Sequence, residues 1–134
     1  MKYEEIEIGQ VGEVTKSFAE ADVRAFAELS LDTNPVHLDE AYAAGTLFKR
    51  RIVHGVLSAS LISAALATKC PGPGSIYLGQ ELSFQKPVYF GDTLTARVEV
   101  IEKLPKRVVV LSTTVVNQNG DVVITGKATL KKIG

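Results

Sequence analysis

The residues between positions 32 and 37 carry the groups best suited to acid and base chemistry. In Asp32-Thr33-Asn34-Pro35-Val36-His37 a carboxylate and an imidazole lie within six positions. Proline fixes its own φ and keeps the preceding residue out of the helical region, so this segment should form a stiff turn. Such a turn can bring Asp32 and His37 together, so that one side chain takes a proton from a water molecule while the other orients it. The alternative is a helix end followed by an Asx turn, in which His37 is only a surface imidazole.

A second candidate is Ile52-Val53-His54-Gly55, which leads into an apolar segment. If Gly55 begins a helix, its N–H has no acceptor within that helix and points at any ligand that binds there, with the positive end of the helix dipole behind it. This arrangement suits a developing oxyanion. The alternative is a glycine required by an unusual dihedral angle or by tight packing. His54 is interpreted as a hydrogen-bonded structural group beside the site, outside the catalytic set.

Two helices should position these residues. Ala19 to Ser30 has apolar residues on one helical face, and Ser17 with Glu20 suggests a capping box at its start. His54 to Thr68 is apolar on nearly all sides, which is typical of a buried helix. The run Pro71-Gly72-Pro73-Gly74 then separates the helical half of the chain from a half with the two-residue period of strands.

Four strands are predicted after this break. Apolar and polar residues alternate around Ile76 to Gln85, Thr93 to Val100 and Val122 to Leu130, and Val108 to Val116 is continuously β-branched or apolar. Asn119-Gly120 is a strong hairpin signal. We therefore expect an α+β fold in which a mostly antiparallel sheet wraps around the apolar helix. The uncovered sheet edge favours a homodimer.

Length and composition exclude several classes of protein. A chain of 134 residues is one domain, spanning positions 1–134, and its 15 basic and 15 acidic residues give net charge 0, which disfavours nucleic acid or an anionic membrane as partner. No stretch approaches the ~20 apolar residues of a membrane helix. The polar N-terminus lacks the features of a signal peptide, and the single Cys70 excludes an internal disulfide, so we expect a cytoplasmic protein.

The segment from Asp32 to His37 resembles the hydratase-2 motif of the (R)-specific enoyl-CoA hydratases, the MaoC-like branch of the hotdog fold. In that motif an Asp, any residue, Asn, Pro, an aliphatic residue and His come one after another. The resemblance extends over nearly the whole chain. The further matching segments are Phe26-Ala27, Ser30, Leu38-Asp39, Ile52-Val53-His54-Gly55, Ser63, Gly74-Ser75-Ile76-Tyr77-Leu78-Gly79-Gln80, Phe84, Pro87-Val88 and Gly91-Asp92.

The resemblance implies a dimeric hotdog enzyme that adds water to short or medium trans-2-enoyl-CoA to give (R)-3-hydroxyacyl-CoA. Asp32 and His37 would hold and activate the water, and the N–H of Gly55 would bind the thioester oxygen. The substrate-binding residues would be Asn34, Ser63 and Leu66. The acyl-CoA thioester is the substrate, and neither a cofactor nor a metal is required.

Three alternatives to this function stay open. The same chemistry could serve a 3-hydroxyacyl-ACP dehydratase, the fold could host an acyl-CoA thioesterase, or the protein could be a non-catalytic acyl-CoA binding module. The basic run Lys49-Arg50-Arg51 stands where many relatives have Arg-Pro. It could contact the phosphates of coenzyme A, although such a run is more often solvated surface.

Overall fold

A computed structural model describes residues 1–133 of the chain and shows one five-stranded antiparallel sheet with four helices. The C-terminal residue of the predicted domain, Gly134, lies outside the described residues. A short 3-10 turn, Tyr3–Glu5, precedes the first strand. In chain order the elements are β1 (Val11–Ser17), α1 (Glu20–Ser30), α2 (Pro35–Leu38), α3 (Glu40–Ala44), α4 (Gly55–Thr68), β2 (Ser75–Phe84), β3 (Thr93–Leu104), β4 (Val108–Val116) and β5 (Val122–Lys132).

The strands lie in the order β1-β3-β4-β5-β2, and each neighbouring pair is antiparallel. The alternation that predicts the strands is visible in the burial of β3, where Leu94, Ala96 and Val98 face the core. Strand β2 differs, because both of its faces are exposed or half-buried at this edge of the sheet and the buried face expected from its alternation is absent. Gly120 closes the β4–β5 hairpin with a φ of 80°, a left-handed conformation that glycine adopts without strain. The predicted α+β class and the four predicted strands are confirmed.

Helix α4 packs against the sheet, contacting β1, β3 and β4. Its buried residues lie on several sides of the helix, as the apolar sequence predicts, and Ile62, Ala65 and Leu66 are almost fully inaccessible to solvent. A sheet that curves around one apolar helix buries both the helix and its own inner face, which removes most of the apolar surface from water. The N-terminus of α4 remains at the open end of this arrangement, where Gly55 is exposed.

Two local expectations differ from the structure. Strand β1 is absent from the sequence prediction; it pairs with β3, and Gly12 lets it approach the end of α4 so closely that a Cβ there would lie 2.7 Å from the Cβ of Lys69. The predicted capping box is wrong, because α1 begins after Ala19, whose N–H donates to the Asp22 carboxylate at 2.9 Å. Ser17 instead belongs to β1, where its hydroxyl hydrogen-bonds to Thr93.

No helix within residues 1–133 has both the length and the apolar character needed to cross a membrane.

Candidate active site

A hydrogen-bonded turn between α1 and α2 positions Asp32. Helix α1 ends at Leu31, which has a left-handed φ of 67°. The N–H of Asp32 donates to the hydroxyl of Ser30 at 3.1 Å, and the side chain of Asn34 accepts from the N–H of Val36 at 3.2 Å to cap α2. Pro35 occupies the first turn of α2, where its missing N–H removes no helical hydrogen bond. The turn is therefore stiff, and the Asp32 side chain is exposed at its surface.

The orientation of His37 is set by the backbone of the next segment. Its Nδ1 lies 2.7 Å from the carbonyl oxygen of Ile52, and the residue is 7% exposed. A carbonyl oxygen can only accept, so Nδ1 carries the proton and donates. The lone pair of the neutral ring is then on Nε2. His37 is thus held in the tautomer whose free nitrogen can accept a proton.

His54 lies against the same residues. Its Nε2 lies 2.9 Å from the carbonyl oxygen of Asp32 and donates to it, and its ring stacks on that of His37 with centroids 3.8 Å apart. The ring of Phe26 contacts it edge-on at 4.9 Å between centroids. His54 is 1% exposed, and among residues 1–133 its Nδ1 has no hydrogen-bond partner. It is therefore part of the site, in contact with both members of the Asp32/His37 pair.

The protonation of His37 depends on its surroundings. Burial lowers the pKa of His37 below its ordinary 6.5, and the nearby His54 lowers it further. The hydrogen bond to the Ile52 carbonyl and the charge of Asp32 act in the opposite direction but do not restore it. A lowered pKa keeps the imidazole neutral near pH 7, which is the form that can act as a base.

The structure brings Asp32, His37 and His54 together. One ligand-type atom from each of the three side chains lies within 4.8 Å of the others. By donor type this set could bind a divalent cation. An imidazole nitrogen binds a metal in the plane of its ring, however, and the two stacked rings are only 26° from parallel. One ion cannot lie in both planes at bonding distance, so the two histidines do not form a shared metal site.

A cleft of about 370 Å³ opens beside this cluster at the N-terminus of α4. It is mostly apolar, and Gly55, Ser58 and Phe84 are among its lining residues. Neither Asp32 nor His37 is among its lining residues. The cluster adjoins the cleft through Ile52, a lining residue whose carbonyl accepts from His37, and through His54, which immediately precedes Gly55. A Cβ on Gly55 would lie 2.8 Å from Cε1 of Phe84, so glycine allows the helix start and the Phe84 ring to lie in close contact at this cleft.

Three sequence-predicted substrate residues lie away from the lining of this cleft. The side chain of Asn34 is occupied in capping α2. Ser63 is exposed on α4, and Leu66 is 1% exposed within the core. None of the three is among the cleft's lining residues, and their roles in substrate binding stay predictions.

The basic residues before Ile52 have structural partners. The guanidinium of Arg51 lies 2.9 Å from Glu20 and 3.0 Å from Glu40, and that of Arg50 stacks on the ring of Tyr89. Arg51 therefore ties the segment before α4 to α1 and α3. A contact between this side chain and coenzyme A phosphates would have to break both ion pairs.

Sequence reasoning misses the roles of two residues at the site. For His54 it predicts only a structural neighbour, because the contact with the Asp32 backbone spans 22 positions and no local pattern reveals it. Ser58 lines the cleft and is buried, although its hydroxyl has no hydrogen-bond partner within residues 1–133. The signal available for Ser58 is its position, three residues after Gly55 and so on the same helical face.

Comparison with known proteins places this chain in a family. The MaoC like domain model matches residues 4–122. The (R)-specific enoyl-CoA hydratase of Aeromonas caviae is 49% identical over 132 residues, which is 98% of each chain. That of Rhodospirillum rubrum is 48% identical over 96% of this chain and 89% of its own.

Among solved structures, the unliganded R-hydratase PhaJ1 from Pseudomonas aeruginosa superposes with a TM-score of 0.93. It is 56% identical, and the match covers 98% of this chain and 84% of that one. The sheet and its central helix are therefore the hotdog fold expected from the sequence. The chain belongs to the MaoC-like domain family and is similar over nearly its full length to the (R)-specific enoyl-CoA hydratases.

Proposed function

We propose that the protein is a hydro-lyase that adds water to trans-2-enoyl-CoA to form (R)-3-hydroxyacyl-CoA. The family and its near relatives support this reaction. The observation that carries it is the position of His37, whose Nδ1 donates to the Ile52 carbonyl and so leaves Nε2 unprotonated, in a cluster where ligand-type atoms of His37 and Asp32 lie within 4.8 Å. The (R) configuration is supported by the relatives, and the preference for short to medium acyl chains stays a prediction from the sequence resemblance.

The reaction needs a base for water and a stabiliser for the enolate. His37, oriented with Asp32, takes a proton from water as the oxygen forms a bond to the β-carbon. The electron pair of the double bond moves onto the α-carbon and the thioester oxygen, where the N–H of Gly55 stabilises the charge. The proton then passes to the α-carbon and leaves the pair ready for another turnover. Each group contributes about 10²- to 10³-fold in rate.

Neither a metal nor a cofactor has a step in this scheme. Proton transfer is supplied by Asp32 and His37, and charge stabilisation by a backbone N–H at the start of α4. The near-parallel planes of His37 and His54 argue against a single metal ion bound by both rings. The acyl-CoA thioester is then the substrate and the sole small molecule required.

We further propose a homodimer formed through strand β2. The two outer strands of the sheet are β1 and β2. Strand β1 is mostly polar, whereas β2 exposes apolar side chains. Those side chains are Ile76, Tyr77, Leu78, Leu82 and Phe84. An unpaired strand edge with an apolar surface favours pairing with an identical strand, which extends the sheet and buries these residues.

A cytoplasmic location fits this function. The single thiol, Cys70, is buried and unable to form an internal disulfide, as in proteins of a reducing compartment.

One assay tests the proposed reaction against its alternatives. Purified protein dialysed against EDTA is mixed with crotonyl-CoA, and both the ultraviolet absorbance of the conjugated thioester and free thiol are recorded. Loss of absorbance without thiol is expected. Release of thiol would indicate a thioesterase, and no change in either signal would indicate a binding module. The same assay with crotonyl-ACP compares the two carriers, and a higher kcat/KM on ACP would favour the dehydratase.

A further inference from the structure

Ser58 carries a hydroxyl group that is buried at the site without a hydrogen-bond partner. The residue is 0% exposed, and no atom of residues 1–133 accepts from or donates to its Oγ. Leaving a buried hydroxyl unpaired destabilises the folded state. Buried polar groups nearly always have partners, so an exception in a binding cleft points to a ligand.

Two other hydroxyls of α4 show how such a group is ordinarily satisfied, whereas Ser63 is exposed to solvent. Ser60 donates to the carbonyl of Leu57 at 2.5 Å, and Thr68 donates to that of Ala64 at 2.7 Å. Bonds of this type to the preceding turn are common for serine and threonine in helices. Ser58 makes none, although it belongs to the same helix.

The position of Ser58 directs its side chain towards the start of the helix. Gly55 and Ser58 are three residues apart on α4, and both line the cleft. Side chains on a helix lean towards its N-terminus, over the preceding turn. For Ser58 that turn begins at Gly55. The hydroxyl and the N–H of Gly55 therefore belong to one polar spot in a largely apolar cleft.

We propose that Ser58 is a second hydrogen-bond donor to the thioester carbonyl of bound acyl-CoA, beside the N–H of Gly55. This inference rests on the proposed function. A carbonyl oxygen has two lone pairs, and the charge that develops on it is stabilised best by two donors in a site without water. Val53, Val88 and Ile124 line the same cleft and have no donor in their side chains. The hydroxyl is buried in the free protein, so this contact requires rotation about Cα–Cβ when the ligand binds.

Kinetics and stability together test this role, with Ser58→Ala compared with Ser60→Ala. Ser58→Ala should lower kcat for crotonyl-CoA by about tenfold or more with KM changed less than about threefold, since it removes a contact that strengthens in the transition state. Its melting temperature should stay the same or rise, because an unpaired buried hydroxyl is lost. Ser60→Ala should keep wild-type kcat. Wild-type kcat in Ser58→Ala would overturn the proposal, and so would a lower melting temperature without a kinetic change.

A measurement without turnover separates this inference from the proposed reaction. Butyryl-CoA labelled with ¹³C at the carbonyl has no double bond to hydrate, and its carbonyl stretch moves to lower frequency with each hydrogen bond. The band of the bound thioester should lie higher in Ser58→Ala than in the wild type and in Ser60→Ala. Equal bands would overturn the role of Ser58, even in an active hydratase. A band shift in a protein that does not hydrate crotonyl-CoA would support the carbonyl contact and refute the reaction.

Discussion

The imidazole rings of His37 and His54 stack with their centroids 3.8 Å apart and their planes 26° from parallel. Each ring donates one N–H to a backbone carbonyl, His37 to that of Ile52 and His54 to that of Asp32. His54 therefore contacts His37 through ring stacking and Asp32 through a hydrogen bond to its backbone carbonyl. The geometry of the Asp32/His37 pair depends on a residue that has no proton to transfer in the proposed reaction.

Replacement of His54 should separate its hydrogen bond from its bulk. His54→Leu keeps a side chain of similar bulk but loses the hydrogen bond that Nε2 donates to the Asp32 carbonyl. Small displacements of a catalytic group lower the rate by up to about 10²-fold. We expect His54→Leu to lower kcat by about 10- to 100-fold with little change in KM. In His54→Gln the amide can donate in place of Nε2, so part of the lost kcat should return. Equal kcat values in the two variants would show that the hydrogen bond has no positioning role.

The rate of hydration should depend on pH through His37. The imidazole must be neutral to take a proton from water, and burial lowers the pKa of His37 below 6.5. We expect the acid limb of kcat/KM for crotonyl-CoA to have its midpoint below pH 6.5. An acid limb centred above 6.5 would contradict the lowered pKa.

The lowered pKa of His37 should also make the free energy of unfolding depend on pH. The folded pKa of His37 lies below the unfolded value, so between the two the unfolded chain binds more protons. The free energy of unfolding should therefore fall as the pH is lowered from 6.5 through the folded pKa. Urea denaturation measures this, and His37→Gln should have a flatter profile over the same range. Equal slopes in the two proteins would contradict the assignment.

Gly55→Ala should crowd the oxyanion site without unfolding the protein. The added Cβ would lie 2.8 Å from Cε1 of Phe84, so the ring must shift within the cleft that both residues line. Alanine keeps the backbone N–H, and we expect kcat/KM to fall by about 10²-fold because the methyl group and the shifted ring displace the thioester from this donor, with an unchanged melting temperature. The double variant Gly55→Ala/Phe84→Ala removes the clash and should recover part of the activity relative to Gly55→Ala alone. Full activity of Gly55→Ala would show that the thioester does not approach the backbone of residue 55 closely.

The β2 edge should control oligomeric state. Leu78 is 54% exposed on β2, and a charge there would be buried without a partner in a β2–β2 dimer. Leu78→Asp should be monomeric by sedimentation velocity at micromolar concentration, whereas the wild type should be dimeric. Ile8→Asp is the matched control, since Ile8 is 66% exposed next to the opposite edge, before β1. A dimeric Leu78→Asp would place the interface elsewhere.

The sequence predicts those parts of the molecule that depend on local patterns. The buried helix α4, the four strands after it and the Asn119–Gly120 turn each leave a periodic or a turn signal, and the structure confirms them. Strand β1 has only a weak signal, because Gly12 is its one buried residue and polar residues occupy most of the rest. Its identity as a strand comes from pairing with β3, more than 70 positions away.

Only part of the candidate site can likewise be predicted from local sequence patterns. The motif from Asp32 to His37 is contiguous, so its residues can be named from sequence, and the proline turn explains why they lie close together. The stacking of His54 on His37 and the unpaired hydroxyl of Ser58 depend on how α4 packs against the loop after α1. These contacts join distant segments, and no local pattern in a single sequence predicts them.

The role of the Asp32/His37 pair is tested most directly by kcat for crotonyl-CoA hydration in Asp32→Asn and His37→Ala, with melting temperature as the control. Each change removes a proton-handling group, and we expect kcat to fall by about 10²-fold or more while each variant stays folded. A folded variant of either kind with a kcat close to that of the wild type would contradict the account.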